Sequence, residues 1–192
     1  MPPARRDLVV GVDASRMSVD AKTGTEHYSD QIIRALVRLD PGWRWRLYLN
    51  APSPPEGLAA AGPHVELRSI PARRLWTHLR LSREILADRP DLLFVPSHVV
   101  PVVHPPSVVT IHDLGYLRVP DAHPAGQRRM LDWTTRWSAA VARRIIVPSG
   151  QTRDDLIALY GVPAESIVVV HHGVHDRFGT ARADAALLRE RF

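Results

Sequence analysis

Val108-Val109-Thr110-Ile111-His112-Asp113-Leu114-Gly115 decides how this chain folds. Four strand-favouring residues run into a His-Asp pair and then a glycine. A buried parallel strand that ends in polar residues delivers them to the carboxyl edge of its sheet, where open α/β folds bind ligands. His112 is therefore the leading functional candidate. The pattern recurs in Asp91-Leu92-Leu93-Phe94-Val95-Pro96-Ser97-His98, which ends in Ser-His. It recurs again in Ile167-Val168-Val169-Val170-His171-His172-Gly173, which ends in His-His-Gly. Three strands with polar ends predict one shared cleft.

Working outward, Leu8–Asp13 reads as a first strand, apolar throughout and so buried on both faces. A loop of small and polar residues leads to Gly24. Tyr28, Ile32, Leu36 and Leu39 then recur at helical spacing, and Asp40-Pro41-Gly42 stops that helix. Strands follow at 45–49 and, alternating and half-exposed, at 65–70. Leu75, Leu79, Ile85 and Leu86 predict a helix that ends before Pro90. Met130, Trp133, Trp137 and Val141 mark a longer helix, with both tryptophans expected in the core. Arg144–Ser149 is a strand and its exit. Thr152-Arg153-Asp154-Asp155 reads as a helix start, and that helix ends at Gly161 with Pro163 just beyond. Residues 179–192 read as a further helix. Strands alternating with helices imply βαβ units. The expected fold is α/β, a Rossmann-like parallel sheet of about seven strands with helices on both faces.

Composition narrows the function classes. No apolar run approaches the roughly 20 residues a membrane span needs, and the first residues lack a signal peptide's apolar segment. A cytoplasmic location is expected. The chain has no cysteine, so thiolate metal sites and disulfides are excluded. His171, His172, His175 and Asp176 do not fit a helical metal-ligand spacing, and no metal is expected. The net charge is +5, and only Lys22 among 25 basic residues is lysine. That balance admits nucleic acid, an anionic membrane surface or a phosphorylated ligand, or merely an arginine-rich composition. No nucleic-acid motif is present. Helix 72–89 carries Arg73, Arg74, Arg80, Arg83 and Arg89 around its apolar stripe. A core-facing helix with a solvated arginine face is the expected reading. Peripheral contact with a membrane surface is the alternative.

Individual residues carry open alternatives. Thr23-Gly24-Thr25-Glu26 joins the first strand to the first helix. Glycine there lets backbone approach a ligand, and the helix N-terminus offers N–H groups to a phosphate. Ordinary helix capping explains it equally. The loop is neither G-x-G-x-x-G nor G-x-x-x-x-G-K-[ST]. His112 suits a hydrogen-bond donor, a general base or a contact to a sugar hydroxyl, against an imidazole tied to the backbone. Asp113 either orients His112 or caps the next turn. Ser97 and His98 line the cleft or support it from behind.

The ordered set of motifs resembles the N-terminal domain of glycosyltransferase family 4, the retaining enzymes of GT-B fold. It comprises residues 10–15, 23–29, 91–98, 108–115, 146–156 and 169–176, and spans about Leu8 to Phe178. The resemblance implies an acceptor site in this domain and a nucleotide-sugar bound by a second Rossmann-like domain. It places Gly24 and Thr25 on the loop near donor phosphates and acceptor, and His112 against the transferred sugar. Ser149 and Thr152 become cleft-lining positions. His172-Gly173-Val174 becomes the segment leading to the interdomain crossover. No cofactor is implied beyond the nucleotide-sugar substrate.

In that family the Glu-x7-Glu motif and the donor-binding basic residues lie in the C-terminal domain. Here Glu26, Glu56, Glu66, Glu84, Glu165 and Glu190 include no pair eight positions apart. Residues 1–178 are thus expected to form the GT-B N-terminal domain, and 179–192 to begin the link to an absent donor domain. Such a half is expected to be inactive alone, because it lacks most of the charge that stabilises the leaving phosphate. A non-catalytic half of a split enzyme, or an unrelated Rossmann-like nucleotide-binding protein, remain the alternatives.

Overall fold

The computed structural model describes residues 8–19, 23–39, 42–55, 57–58 and 62–174. The boundary expected at residue 178, the helix expected over 179–192, and His175 with Asp176 lie outside them.

The described strands are β1 (Val9–Asp13), β2 (Arg44–Leu49), β3 (Val65–Ser69), β4 (Leu92–Val95), β5 (Ser107–Thr110), β6 (Arg144–Val147) and β7 (Ile167–Val169). They form one sheet in the order β3-β2-β1-β4-β5-β6-β7, with every pairing parallel. The α-helices among the described residues are α1 (Gly24–Leu39), α2 (Ser82–Ala87), α3 (Gly115–Arg118), α4 (Ala125–Val141) and α5 (Gly150–Tyr160). The expected seven-stranded α/β architecture is the observed one.

Strand alternation divides the core in two. In β4, Leu93 and Val95 join Trp76, Leu81, Ile85, Ala139 and Leu156 on one face of the sheet. Phe94 faces the other way, with Ile33 and Val37 of α1 and Met17. Each of the Val, Leu, Ile, Phe and Met side chains among them contributes about 1.5–3 kcal/mol when fully buried. At the β3 edge the ladder is tied down by charge. Arg46 donates to Glu66 at 2.8 Å, and Arg68 reaches Glu84 at 3.1 Å and Asp88 at 2.8 Å. Arg80 completes this network through Glu84 at 2.8 Å.

Three local expectations are corrected, and one helix is added. First, α5 does not start at Thr152. Ser149 is its N-cap and accepts the Thr152 N–H at 3.1 Å. Its end is as expected: Gly161 adopts φ +65°. Second, the short helix α3 has only four residues and so carries no periodicity that a sequence could show. Third, the helix after β3 does not turn its leucine stripe to the core. It opens with a wide π-type turn (Trp76–Leu81) that shifts the helical phase. Trp76, Leu81 and Ile85 are buried, whereas Leu75, Leu79 and Leu86 are exposed.

Fourth, Trp133 and Met130 lie on the outside of α4, not in the core. That helix packs inward through Thr134, Thr135, Ser138 and Ala139. Its large side chains therefore misreport its buried face. Ser138 Oγ accepts the Val100 N–H at 3.0 Å, and Trp137 Nε1 donates to the Val100 carbonyl at 3.0 Å.

Candidate functional site

The chain leaves β1 toward β2 on one side, yet β4 pairs with β1 on the other. The connections diverge between β1 and β4, and at such a switch point the carboxyl ends of the strands open a crevice. A groove of about 490 Å³ occupies this position. Asp13 from the end of β1, Thr25 and Glu26 from α1, and Ser97 and His98 beyond β4 line it. Its volume is in the range of small-molecule sites.

His98 connects the groove to a second cluster. Its Nε2 accepts the backbone N–H of His112 at 3.3 Å, and the two rings lie 5.3 Å apart. Accepting through Nε2 leaves the proton on Nδ1. Burial, with the neighbouring His112 imidazole, pushes the His98 pKa down to about 4. His98 is therefore neutral at physiological pH.

The His112 ring makes the complementary choice. Its Nε2 lies 2.9 Å from the Pro96 carbonyl, which can only accept, so Nε2 carries the proton. Nδ1 is left as an acceptor with no partner among the described residues. Burial also lowers the His112 pKa, although the Pro96 contact opposes the shift. The ring tied to the backbone is thus also the ring that keeps an acceptor free, one nitrogen for each role.

Tyr28 organises this cluster. Its ring meets His112 edge-on at 4.8 Å and packs at 4.7 Å against His172. His112 and His172 stand 5.6 Å apart. The Tyr28 hydroxyl lies 3.3 Å from Thr110 Oγ1 at the end of β5. Thr152 Oγ1 donates to the His112 carbonyl at 3.3 Å and sits 3.0 Å from Ser149 Oγ. The exits of β4, β5 and β7, the three strands expected to share a cleft, therefore converge, and Ser149 and Thr152 beyond β6 join them. His98, His112, Ser149, Thr152 and His172 form one cluster, and Thr25 reaches the adjoining groove.

Other candidates stand apart. Asp113 does not orient His112, since its Oδ1 caps the following turn by accepting the Gly115 N–H at 2.8 Å. Gly173 is exposed beyond His172. His171 donates from Nδ1 to the Pro148 carbonyl at 2.9 Å. Gly24 opens α1 in open space, where an added Cβ would meet nothing within 4 Å. Glu26 already serves that helix end as a capping residue. It accepts the Thr23 N–H at 3.0 Å and the Thr23 hydroxyl, and it pairs with Arg16 at 3.3 Å. The Thr23 hydroxyl, ahead of the other contacts, holds the Glu26 carboxyl below its usual range.

Sequence reasoning missed Tyr28, Asp13 and Arg16. Tyr28 lies within the quoted 23–29 motif, four positions after Gly24, so helical spacing alone could have placed it at the site. Asp13 is buried and accepts from Ser15 N–H at 3.0 Å and Ser15 Oγ at 2.6 Å. Burial outweighs those bonds and raises its pKa.

Comparison with known proteins decides the family. The profile of Glycosyltransferase Family 4 matches residues 22–178. The chain belongs to glycosyltransferase family 4. No curated protein sequence matches it. Among solved structures, WaaG, a glycosyltransferase involved in lipopolysaccharide biosynthesis, superposes with a TM-score of 0.62 at 14% identity, covering 96% of this chain and 51% of that one. Anabaena Alr3699/HepE in complex with UDP gives 0.52 at 16% identity, covering 96% and 49%. A glycosyltransferase from Rickettsia africae gives 0.51 at 12% identity, covering 98% and 49%. At these identities the likeness is one of fold. The family 4 chain spans about half the length of each neighbour, and its sheet has the Rossmann-like fold seen in these GT-B glycosyltransferases.

Proposed function

We propose that this chain is the acceptor-side half of a retaining glycosyltransferase that moves a hexosyl group from a nucleotide-sugar to an acceptor hydroxyl. The observation that carries the reading is the free Nδ1 of His112 at the carboxyl edge of the sheet. An imidazole locked by Pro96 on one side presents one fixed acceptor to a sugar hydroxyl on the other. Positioning, not proton abstraction, suits that geometry. Among the described residues no carboxylate hydrogen-bonds to the His112 ring, and Asp113 Oδ1 accepts from Gly115 instead. This supports a role as positioning contact over an activated base, and with it the retaining course.

In this reading the acceptor lies in the switch-point groove beside His98 and Asp13. Gly24 and Thr25 meet donor phosphates through the helix N-terminus. Ser149, Thr152, His172 and Gly173 form the wall toward a donor-binding domain, carried by the same polypeptide or by a partner chain. The UDP complex of the HepE neighbour supports a nucleotide-linked donor. The reading needs no metal or further cofactor, and places the enzyme in the cytoplasm.

Labelled nucleotide-sugar turnover tests it, with the 192-residue chain alone and with a donor-binding Rossmann domain supplied. Turnover is expected only in the combined protein. Turnover by the chain alone, abolished by His112→Ala, would overturn the half-enzyme claim. Absence of transfer from every nucleotide-sugar in the combined protein would overturn the transfer claim.

A further inference from the structure

Two large apolar side chains at the mouth of the groove, and three further along the helices that carry them, stand in water. Leu75, Leu79 and Leu86 are 63%, 61% and 70% exposed, and Met130 and Trp133 on α4 are 63% and 59% exposed. They belong to two helices joined at the surface, where the His78 ring meets Trp133 with centroids 6.2 Å apart. Leu75 and Met130 both line the groove, so the patch begins at its mouth. Scattered exposed leucines need no explanation, but a contiguous patch does. Leu75 also sits at φ +52°, the one non-glycine among the described residues at positive φ. A leucine there costs about 1–2 kcal/mol, and the fold retains it where its side chain projects outward.

Arginines border the patch, while the carboxylates on the same helices, Glu84, Asp88 and Asp132, are held in ion pairs. Arg73 and Arg74 are exposed, line the groove and have no partner among the described residues. Arg83 beside Leu86, and Arg129 one helical turn before Trp133, are likewise exposed and unpaired. Arg80 on the same helix turns inward to Glu84 instead. The groove's own carboxylates are occupied, Asp13 by Ser15 and Glu26 by Thr23 and Arg16.

We propose that this rim docks on an anionic lipid leaflet, and that the groove draws a lipid-borne acceptor from it. The docking stands on the patch alone; the acceptor class rests on the proposed function. Apolar side chains enter the acyl boundary while arginines take the phosphates. A soluble sugar phosphate or a nucleic acid would satisfy Arg73 and Arg74 but leave the leucines and Trp133 in water. A lipid surface satisfies both.

Flotation of the 192-residue chain with vesicles tests the docking. Binding is expected to phosphatidylcholine vesicles containing phosphatidylglycerol, to weaken with salt, and to be absent with phosphatidylcholine alone. Arg73→Gln with Arg74→Gln, and separately Leu79→Ser with Trp133→Ser, should each lower partitioning on the order of tenfold. All four positions are exposed, so thermal melts should match the parent and exclude misfolding. No binding to anionic vesicles, or binding insensitive to both pairs, overturns the docking. Self-association lost with Leu79→Ser and Trp133→Ser, without vesicle binding, assigns the patch to a second copy and overturns it as well. Because flotation needs no donor, a silent transfer assay leaves this result standing. In the combined enzyme, label should appear in the lipid fraction; transfer only to soluble acceptors removes the lipid acceptor while leaving the glycosyltransferase reading intact.

Discussion

The backbone N–H of His112 points at Nε2 of His98 across 3.3 Å. This contact fixes the tautomer of one histidine and the placement of the other. It requires His98 to be neutral, and burial makes it so, down to a pKa of about 4.

The first prediction follows from that shift. The unfolded chain binds a proton at His98 near the ordinary histidine value of about 6.5, whereas the folded chain resists it until about 4. The contribution is fully present above the unfolded value. It is lost as pH falls through this window, by up to about 3 kcal/mol. His98→Gln can still accept the His112 N–H and does not titrate. Urea unfolding at about pH 7 and about pH 5 should show a smaller loss for His98→Gln than for the parent. Equal losses would count against a neutral, buried His98.

The second prediction concerns Gly11 in β1, flanked by β2 and β4. A Cβ there would stand 2.9 Å from Pro90 Cγ and 3.0 Å from Tyr48 Cε2. Gly11→Ala forces the proline ring or the tyrosine to move, which costs about 1–3 kcal/mol. Chemical denaturation measures it. An unchanged midpoint would mean that these neighbours yield freely.

The third prediction concerns Ser149. Its side chain caps α5 through the Thr152 N–H at 3.1 Å. Ser149→Ala should cost about 1 kcal/mol and lower Tm by about 2–4 °C for a chain of this size. Ser149→Asp should retain most of the stability, since aspartate caps equally well. A Ser149→Ala protein as stable as the parent would assign the cap no weight.

Much of this was legible in the sequence, for physical reasons. Leu92–Val95 reads as an unbroken apolar run and Val108-Val109 forms the apolar centre of its neighbour, because both strands are largely buried. Their polar exits necessarily reach the carboxyl edge, which is why His98, His112 and His172 could be brought together before the structure was known. Helical faces were less legible. The buried side of α4 is made of Thr134, Thr135, Ser138 and Ala139, small residues that hydropathy undervalues. The π-type turn at Trp76–Leu81 displaced the phase of the next helix, so Leu75, Leu79 and Leu86 face outward. Ring contacts such as Tyr28 with His172 depend on tertiary placement, which spacing within one helix does not report.

The central claim is that His112 positions the transferred sugar through Nδ1 while Pro96 holds Nε2. The most direct measurement is kcat/KM for transfer by the combined two-domain enzyme, parent against His112→Ala. Losing one preorganised contact should lower kcat/KM about 100-fold or more, with a melting curve close to the parent's. A His112→Ala enzyme within about twofold of the parent would contradict the account, because a twofold change is worth only about 0.4 kcal/mol of transition-state stabilisation.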